Sequence, residues 1–353
     1  MKDLKKILEL SRLEASAACR VDCGGTLDIK TLHYPLRYLS PCTFNIALDM
    51  KTRVRLLPHV SGQIKVSSRG LGTEVQPAEN ASFRGPLGLI FATATYFQVG
   101  GLHIDIVSES PPRSALGGSS TAAVALIGAL SRVAAQEGSR PPTKRLIVLL
   151  AHAIEEAVAG ISCGLQDQLA AAYGGVHAWY WPKGPGEPPF QGFEVLRRKD
   201  YPDLEAAFLL AYCGVPHVSQ DINRKWIDQF VQGGEARPLW AEIVSCTKSF
   251  VRSVREKDWE AAAASMNQEV DIRRKMTPEV FDEVGDALVE KALACGCGAR
   301  FTGAGGGGCI WALGEEEKMA ALRPAWRDIL SGRRGARLLD ARVAPEGLEV
   351  TSC

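Results

Sequence analysis

Residues 111–136 read PPRSALGGSSTAAVALIGALSRVAAQ, and the change of texture inside this stretch decides the fold class. Up to Ser120 the residues are small and turn-forming; from Thr121 the run is apolar on every side until Ser131. A helix without a polar face belongs in the middle of a domain, so its N-terminus opens into the interior or a cleft. Ser114, Ala115, Leu116, Gly117, Gly118, Ser119 and Ser120 lead into that N-terminus. Small residues let successive backbone N–H groups turn toward one point, and the helix dipole adds partial positive charge there, so the loop is a candidate phosphate cradle. The hydroxyls of Ser119 and Ser120 can bind phosphate oxygen or magnesium. A serine-capped helix with a flexible lead-in is the plainer alternative. The common phosphate loop, GxxxxGKS/T, needs a lysine before the hydroxyl residue, and none stands here.

Upstream, residues 17–110 read mainly as strands and turns, with alternating runs at Thr52–Leu57, Gln63–Ser67 and Leu102–Ser108. The opening MKDLKKILELSRLEA reads as an amphipathic helix, since Glu9 and Arg12 interrupt any signal-type apolar core. Downstream, Thr143 is an N-cap candidate for a helix through LIVLLAHAIEEAV that stops near Gly160. The Pro/Gly-rich stretch Trp181–Gln191 reads as a surface loop near a domain boundary. Then come a strand at 205–213, helices over about 220–295, the strand CIWAL at 309–313, a helix at about 315–331 and a last strand near 337–344. A length of 353 residues exceeds what one core usually serves, and two packed domains are expected, 1–195 and 196–353.

With 41 Lys and Arg against 40 Asp and Glu, the formal charge of +1 argues against a nucleic-acid or anionic-membrane surface. No stretch approaches the roughly 20 apolar residues of a membrane span. The ten cysteines have no paired CxxC spacing, and Cys295 and Cys297 form a CxC without a second ligand pair, so reduced thiols in a cytoplasmic protein are the reading.

Glycine is the compositional excess, at 35 residues, and it clusters. TGAGGGGC at 302–309 satisfies GxGxxG through Gly303, Gly305 and Gly308, but a strand follows it where a dinucleotide fingerprint needs a helix. A loop with almost no side chains suits close approach of a ligand or another backbone, and ordering so many glycines is costly without a purpose. A third segment, Gly164-Leu-Gln-Asp167-Gln168, places Asp167 at a helix start, where its ionised form is favoured and a carboxylate can accept a proton or orient a hydroxyl. A plain N-terminal helix residue is the alternative. Glu155, beside Glu156 on a mostly apolar helix, can face the serine hydroxyls and complete a magnesium site; two solvated glutamates are the alternative. Near the N-terminus, Arg20-Val-Asp22-Cys-Gly24-Gly25-Thr26-Leu-Asp28 sets a fixed cation and two carboxylates around a Gly-Gly bend. Carboxylates hydrogen-bond vicinal hydroxyls, and arginine offsets charge developing in phosphoryl transfer. His217, Ser219 and Arg224 are further candidates for substrate contacts.

Together these segments resemble the signature motifs of the GHMP kinases, the galactokinase, homoserine kinase, mevalonate kinase and phosphomevalonate kinase superfamily. PPRSALGGSSTAA resembles its PxxxGLGSSAA phosphate loop, and GARFTGAGGGGC its GAKxTGAGxGGC motif. RVDCGGTLD and GLQDQLAAAYGG are most similar to the D-glycero-D-manno-heptose kinases and bacterial fucokinases, whose motifs run near RIxxxGGxTD and GKQDQYAAAFGG. The galactokinase GEHxDY core is missing, and mevalonate kinases place a lysine where Arg20 stands. The first motif is one residue shorter between Arg20 and Asp28 than in these relatives, and Ala115 and Gly118 replace the usual glycine and serine of the phosphate loop.

The resemblance implies an α/β (α+β) fold of two domains, the first like ribosomal protein S5 domain 2 and the second ferredoxin-like. It implies an ATP-dependent kinase acting on a sugar hydroxyl, that of a heptose phosphate or a deoxyhexose such as fucose at the anomeric position. The cofactors implied are ATP and Mg²⁺. By motif matching, Ser120 and Glu155 hold Mg²⁺, Asp167 is the general base or hydroxyl-orienting carboxylate, and Arg20 assists it. Residues 114–120 cradle the phosphates, Gly303, Ala304, Gly305 and Gly306 close on the transferred group, and Asp22, Gly25, Asp28 and Asp167 contact the sugar. Partners are then a small-molecule sugar or sugar phosphate, neither nucleic acid nor membrane, in a monomer or homodimer. The alternatives are a kinase of the same superfamily for a mevalonate- or homoserine-type acceptor, and a non-catalytic sensor that binds ATP and sugar.

Overall fold

The long strand β3 (Cys42–Pro58) carries two different burial patterns, and the difference shows where the halves of the protein meet. From Thr52 to Leu56 buried and exposed residues alternate, the signature of a sheet with one face in water; from Cys42 to Leu48 every residue is buried. Its neighbour β2 (Leu13–Cys23) behaves alike: Leu13, Ala15 and Ala17 alternate with half-exposed residues, and Ala17–Cys23 is buried throughout. The two pair antiparallel, with a bulge between Ala18 and Cys19 where the pattern changes. Helices cover one face of the doubly buried half, and the C-terminal half of the chain covers the other.

The computed structural model describes the chain apart from Glu137, Ser139, Ile161, Lys183, Pro185, His217, Val218 and Cys353. The first sheet has the order β14-β2-β3-β7-β4-β5, with β8 pairing β3 and β9 pairing β8. Its other strands are β4 (Gln63–Ser68), β5 (Gly72–Pro77), β7 (Leu102–Ser108), β8 (Val176–Tyr180), β9 (Gln191–Leu196) and β14 (Glu349–Ser352). A two-residue pair, β1 (Lys2–Asp3) with β6 (Val99–Gly100), stands apart. The helices of this half are α1 (Lys5–Leu10), α2 (Lys30–His33), α3 (Gly88–Tyr96), α4 (Gly118–Gln136), α5 (Lys144–Ala159) and α6 (Gln166–Tyr173). In α4 every residue from Ser120 to Ser131 is buried. Its Val124, Leu126, Ile127 and Leu130 pack into the core beneath the sheet, each contributing about 1.5–3 kcal/mol. Thr143 Oγ1 accepts the N–H of Leu146 at the start of α5, and Gly160 ends that helix in the left-handed region at φ 66°.

The second sheet is antiparallel, β11-β12-β10-β13, built from β10 (Phe208–Tyr212), β11 (Gly298–Phe301), β12 (Cys309–Leu313) and β13 (Arg337–Leu339). Helices α7 (Tyr201–Ala206), α8 (Ser219–Gln232), α9 (Ala236–Glu256), α10 (Trp259–Met276), α11 (Glu283–Ala294) and α12 (Glu316–Ser331) accompany it. Phe250 of α9 and Trp311 of β12 join Val21, Phe44 and Ile46 in one apolar cluster, which packs the second half against the doubly buried ends of β2 and β3. The fold is mixed α/β with two domains.

Three expectations are corrected. The N-terminal helix stops at Leu10, because Leu13 onward is a strand held between β3 and β14. The segment at 88–96 is a helix within the region read as strands and turns, and its Ile90, Phe91 and Ala94 are buried in the first core. The strand read near 337–344 ends at Leu339, and the chain's last strand, β14, returns to the first sheet.

Candidate active site

Past the bulge between Ala18 and Cys19, Arg20 lies against the 114–120 loop that leads into α4. Arg20 N–H donates to the Leu116 carbonyl at 3.1 Å, and Nη1 donates to the Ala115 carbonyl at 2.6 Å. The rest of its fork meets one oxygen of Asp167: Nε to Oδ1 is 2.8 Å and Nη2 to Oδ1 is 2.7 Å. Asp167 Oδ2 is turned to the loop, 3.1 Å from where a Cβ on Gly117 would stand, and Gly117 has φ 76°. A side chain there would be strained and would crowd the carboxylate.

Asp167 lies in the first turn of α6, where the helix dipole favours its charge, and its side chain keeps 23% of its surface exposed. Burial, opposed by the Arg20 guanidinium, holds its carboxyl above the ordinary aspartate range. Burial also pulls on Arg20, but the carboxylates of Asp167 and Asp22 more than offset it and keep the guanidinium charged.

A second cluster sits on the other side of the loop. Ser120 Oγ donates to Glu155 Oε2 at 2.7 Å, Ser119 Oγ lies 3.5 Å from Oε1, and Gln168 Nε2 donates to Oε2 at 2.6 Å. Among the described residues no salt bridge reaches Glu155, and burial pushes its carboxyl up to about 7. Glu156 points away and pairs with Lys30 at 3.4 Å. One turn of α6 thus serves both clusters, Asp167 toward Arg20 and Gln168 toward Glu155.

The third component is the glycine-rich loop between β11 and β12. Gly308, at φ 84°, packs so closely that a Cβ would come within 2.7 Å of the Ser114 carbonyl oxygen and 2.9 Å of Ala115 Cβ. A Cβ on Gly303 would lie 3.5 Å from Arg20 Nη2. The two small-residue loops therefore meet backbone to backbone, with Arg20 beside both. Gly305 and Gly306 reach back to the second domain, the Gly306 N–H donating to the Val280 carbonyl at 2.8 Å.

The first-motif residues divide. Asp22 is fully buried, and both of its oxygens are engaged: Oδ1 accepts the Gly303 N–H at 2.6 Å, and Oδ2 pairs with Arg300 at 3.0 Å. Gly25 lies beneath it, with no room for a side chain: a Cβ would stand 2.2 Å from Asp22 Oδ2 and 2.9 Å from Gln166 Nε2. Asp28 is 4% exposed; its Oδ2 accepts the Gln166 N–H at 3.0 Å, while Oδ1 is buried without a hydrogen-bond partner. Burial, reinforced by Asp167 and Asp22, raises the Asp28 carboxyl to about 6. Asn45 Nδ2 holds the Gln166 side chain at 2.9 Å, so the turn carrying Asp167 is braced from β3.

Arg224 stays apart, exposed on α8 beside Asp228; His217 and the side chain of Ser219 lie outside the described residues. A surface hollow of about 390 Å³ lined by Leu39, Val244, Lys248 and Arg252 includes none of the residues above. Sequence reasoning gave Gln166 and Gln168 no role beyond flanking Asp167, and passed over Asn45, Glu269 and Arg273. The last two form a buried pair on α10, and their i,i+4 spacing was the available signal, though exposed helix pairs show it equally.

Residues 87–175 match the GHMP kinases N terminal domain, and residues 250–331 match the GHMP kinases C terminal domain. The chain belongs to the GHMP kinases. The first match contains Ser114–Ser120, Glu155 and Asp167, and the second contains Glu269, Arg273 and Gly303. This GHMP kinase is similar to the mevalonate kinase of Thermococcus sibiricus, 26% identical over 302 residues, or 77% of this chain and 82% of that protein. It is likewise similar to the mevalonate kinase of Pyrococcus horikoshii, 25% identical over 330 residues, 86% of this chain and 90% of that protein. A solved D-glycero-D-manno-heptose 1-phosphate kinase from Bacteriodes thetaiotaomicron shares the fold at a TM-score of 0.73, with 16% identity over 96% of this chain and 98% of that one.

Proposed function

We propose that this GHMP kinase transfers the γ-phosphate of ATP to a hydroxyl of a sugar, a heptose phosphate or a deoxyhexose at its anomeric position. The observation that carries the acceptor class is Asp28: a buried carboxylate whose Oδ1 lacks a donor and whose Oδ2 accepts the N–H of Gln166, the residue before Asp167. An acceptor hydroxyl supplies that donor, and a buried acceptor atom left unmatched would cost about 1–3 kcal/mol. With Asp22 paired to Arg300, the carboxylates of Asp28, Asp167 and Glu155 still outnumber Arg20, so the surroundings favour a polyhydroxy group over a carboxylate at this end.

Phosphoryl transfer is mostly positioning and electrostatics. Backbone of 114–120 cradles the phosphates, and Gly303–Gly306 closes on the transferred group. Asp167 Oδ2, free of the Arg20 fork, accepts the hydrogen bond of the attacking hydroxyl and orients its oxygen. A carboxyl lifted above the ordinary range is a better proton acceptor, and Arg20 keeps it ionised and fixed in direction. The guanidinium, also bonded to the loop carbonyl at Ala115, offsets negative charge building toward the phosphates.

Ser120 and Glu155 fit Mg²⁺: both are hard oxygen donors, and a buried carboxylate raised to about 7 without a cationic partner is under-neutralised. When bound there, the ion would neutralise phosphate charge. Gln168 holds Glu155 in place for that role.

A second reading, a mevalonate-type acceptor, has the support of the mevalonate kinases among the curated relatives. A coupled assay of ADP formation over free hexoses and deoxyhexoses, heptose phosphates, mevalonate and homoserine separates the two. Turnover on mevalonate alone would overturn the sugar reading; turnover on a sugar or heptose phosphate supports it.

A further inference from the structure

Beneath the first-motif bend runs a chain of charges that the phosphoryl-transfer machinery does not use. Arg273, Glu269, Arg300 and Asp22 are each 0% exposed. Arg273 Nε donates to Glu269 Oε1 at 2.8 Å; Arg300 donates to both oxygens of Glu269, Nε to Oε2 at 2.9 Å and Nη2 to Oε1 at 3.2 Å. Arg300 Nη1 passes on to Asp22 Oδ2 at 3.0 Å, and Asp22 Oδ1 takes the Gly303 N–H at 2.6 Å. The other arm of Arg273 grips the bend itself: Nη2 donates to the Gly25 carbonyl at 2.7 Å and Nη1 to Thr26 Oγ1 at 3.0 Å. The guanidinium is clasped between Trp226 and Trp240, 4.5 Å from each ring centroid, so its position is fixed from four directions.

Two features show that the bend needs holding. Thr26 is a β-branched residue at φ 72°, a conformation that persists only where the surroundings enforce it. Two residues on stands Asp28, whose N-terminal neighbour Leu27 donates back to Gly24 across the same turn.

We propose that Arg273, from the second domain, is a positioning residue that sets both ends of the active site at once. Through Gly25 and Thr26 it places Asp28 against the acceptor; through Glu269, Arg300 and Asp22, which holds the Gly303 N–H, it fixes the start of the glycine loop that closes on the phosphates. Buried charges of this kind contribute little net stability compared with apolar packing, which leaves specification of geometry as what they supply. The inference rests on the kinase reading for its consequence in turnover, and on the fold alone for its consequence in backbone order.

The test uses the full chain carrying Arg273→Lys, which keeps the charge and loses the fork, and Thr26→Val, which keeps the shape and loses the hydroxyl. Amide hydrogen exchange is followed at 24–28, 302–306 and, as reference, 114–120, and KM for acceptor and for ATP is measured separately. Expected for Arg273→Lys is exchange faster by about tenfold or more at both 24–28 and Gly303, with the reference little changed. The acceptor KM should rise about tenfold while the ATP KM stays within about threefold. Thr26→Val should act at 24–28 in the same direction, and it decides alone if Arg273→Lys does not fold. Unchanged exchange at 24–28, or exchange raised uniformly through the protein, overturns the positioning role. If the parent phosphorylates no acceptor, the sugar-kinase reading falls, and the exchange measurement still decides this inference.

Discussion

Replacing Glu155 by glutamine should make the ligand-free protein more stable at alkaline pH, although it removes a group assigned to the active site. The carboxyl is pushed up from an ordinary 4.5 to about 7, chiefly by burial. A carboxyl raised in the folded state binds its proton more tightly there than in the unfolded chain, so the contribution is favourable at low pH and is lost as pH rises from about 4.5 to about 7. At about 1.4 kcal/mol per tenfold change in proton affinity, the loss totals about 3 kcal/mol, most of it between pH 5 and 8. With an unfolding entropy of about 2.1 cal/mol/K per residue over this chain's length, that corresponds to about 3–4 °C. Scanning calorimetry of parent and Glu155→Gln from pH 5 to 8, without metal, should therefore show the parent's Tm falling by about that amount relative to the variant. Taking the difference removes Asp28, which titrates in both proteins, and leaves Glu155 together with its coupling to the Asp167 charge. Mg²⁺ with ADP should then raise the parent's Tm more at pH 8 than at pH 6, since at pH 6 the ion must first displace a proton, and should do much less for the variant. A difference in Tm that stays flat with pH would refute the account of Glu155 as an under-neutralised buried carboxylate.

Arg20→Lys should lower kcat by about 10–100-fold with the ATP KM within about threefold, because a single ammonium cannot serve Asp167 and the Ala115 carbonyl together; steady-state kinetics in both substrates checks it. Gly308→Ala should destabilise by about 1–3 kcal/mol and weaken ATP binding, since the added methyl meets the Ser114 carbonyl and the backbone is left-handed; denaturant unfolding and nucleotide titration read both effects.

The central helix, the cap at Thr143, the stop at Gly160 and the strand CIWAL were legible because each depends on neighbours in sequence. What was hidden depends on partners far away. GLIFATATY carries β-branched and aromatic residues that suit a strand, and it is a helix because Ile90, Phe91 and Ala94 fill the core beneath α4 and α5. EVTS at the end of the chain is too short to declare itself, and becomes a strand only by pairing with Ser16 to Leu13. In the site, residue types singled out Arg20, Asp167, Ser120 and Glu155, since each belongs to a short local pattern, and the fold brings Arg20 to Asp167 and Ser120 to Glu155. They did not reveal that Asp22 spends both oxygens on the second domain while Asp28 keeps one free. That distinction is made by Arg300 and Gly303, nearly three hundred residues away, and by the Glu269 and Arg273 pair, which in sequence looks like any helix-surface ion pair.

The most direct test is the rate of phosphate transfer to the best acceptor found among sugars and sugar phosphates, measured for the parent and for Asp167→Asn at saturating MgATP, with nucleotide affinity determined in parallel. Loss of about 10³-fold or more in kcat with ATP affinity nearly intact is the predicted result. An asparagine variant that turns over within tenfold of the parent would show that the carboxylate beside Arg20 does not handle the attacking hydroxyl.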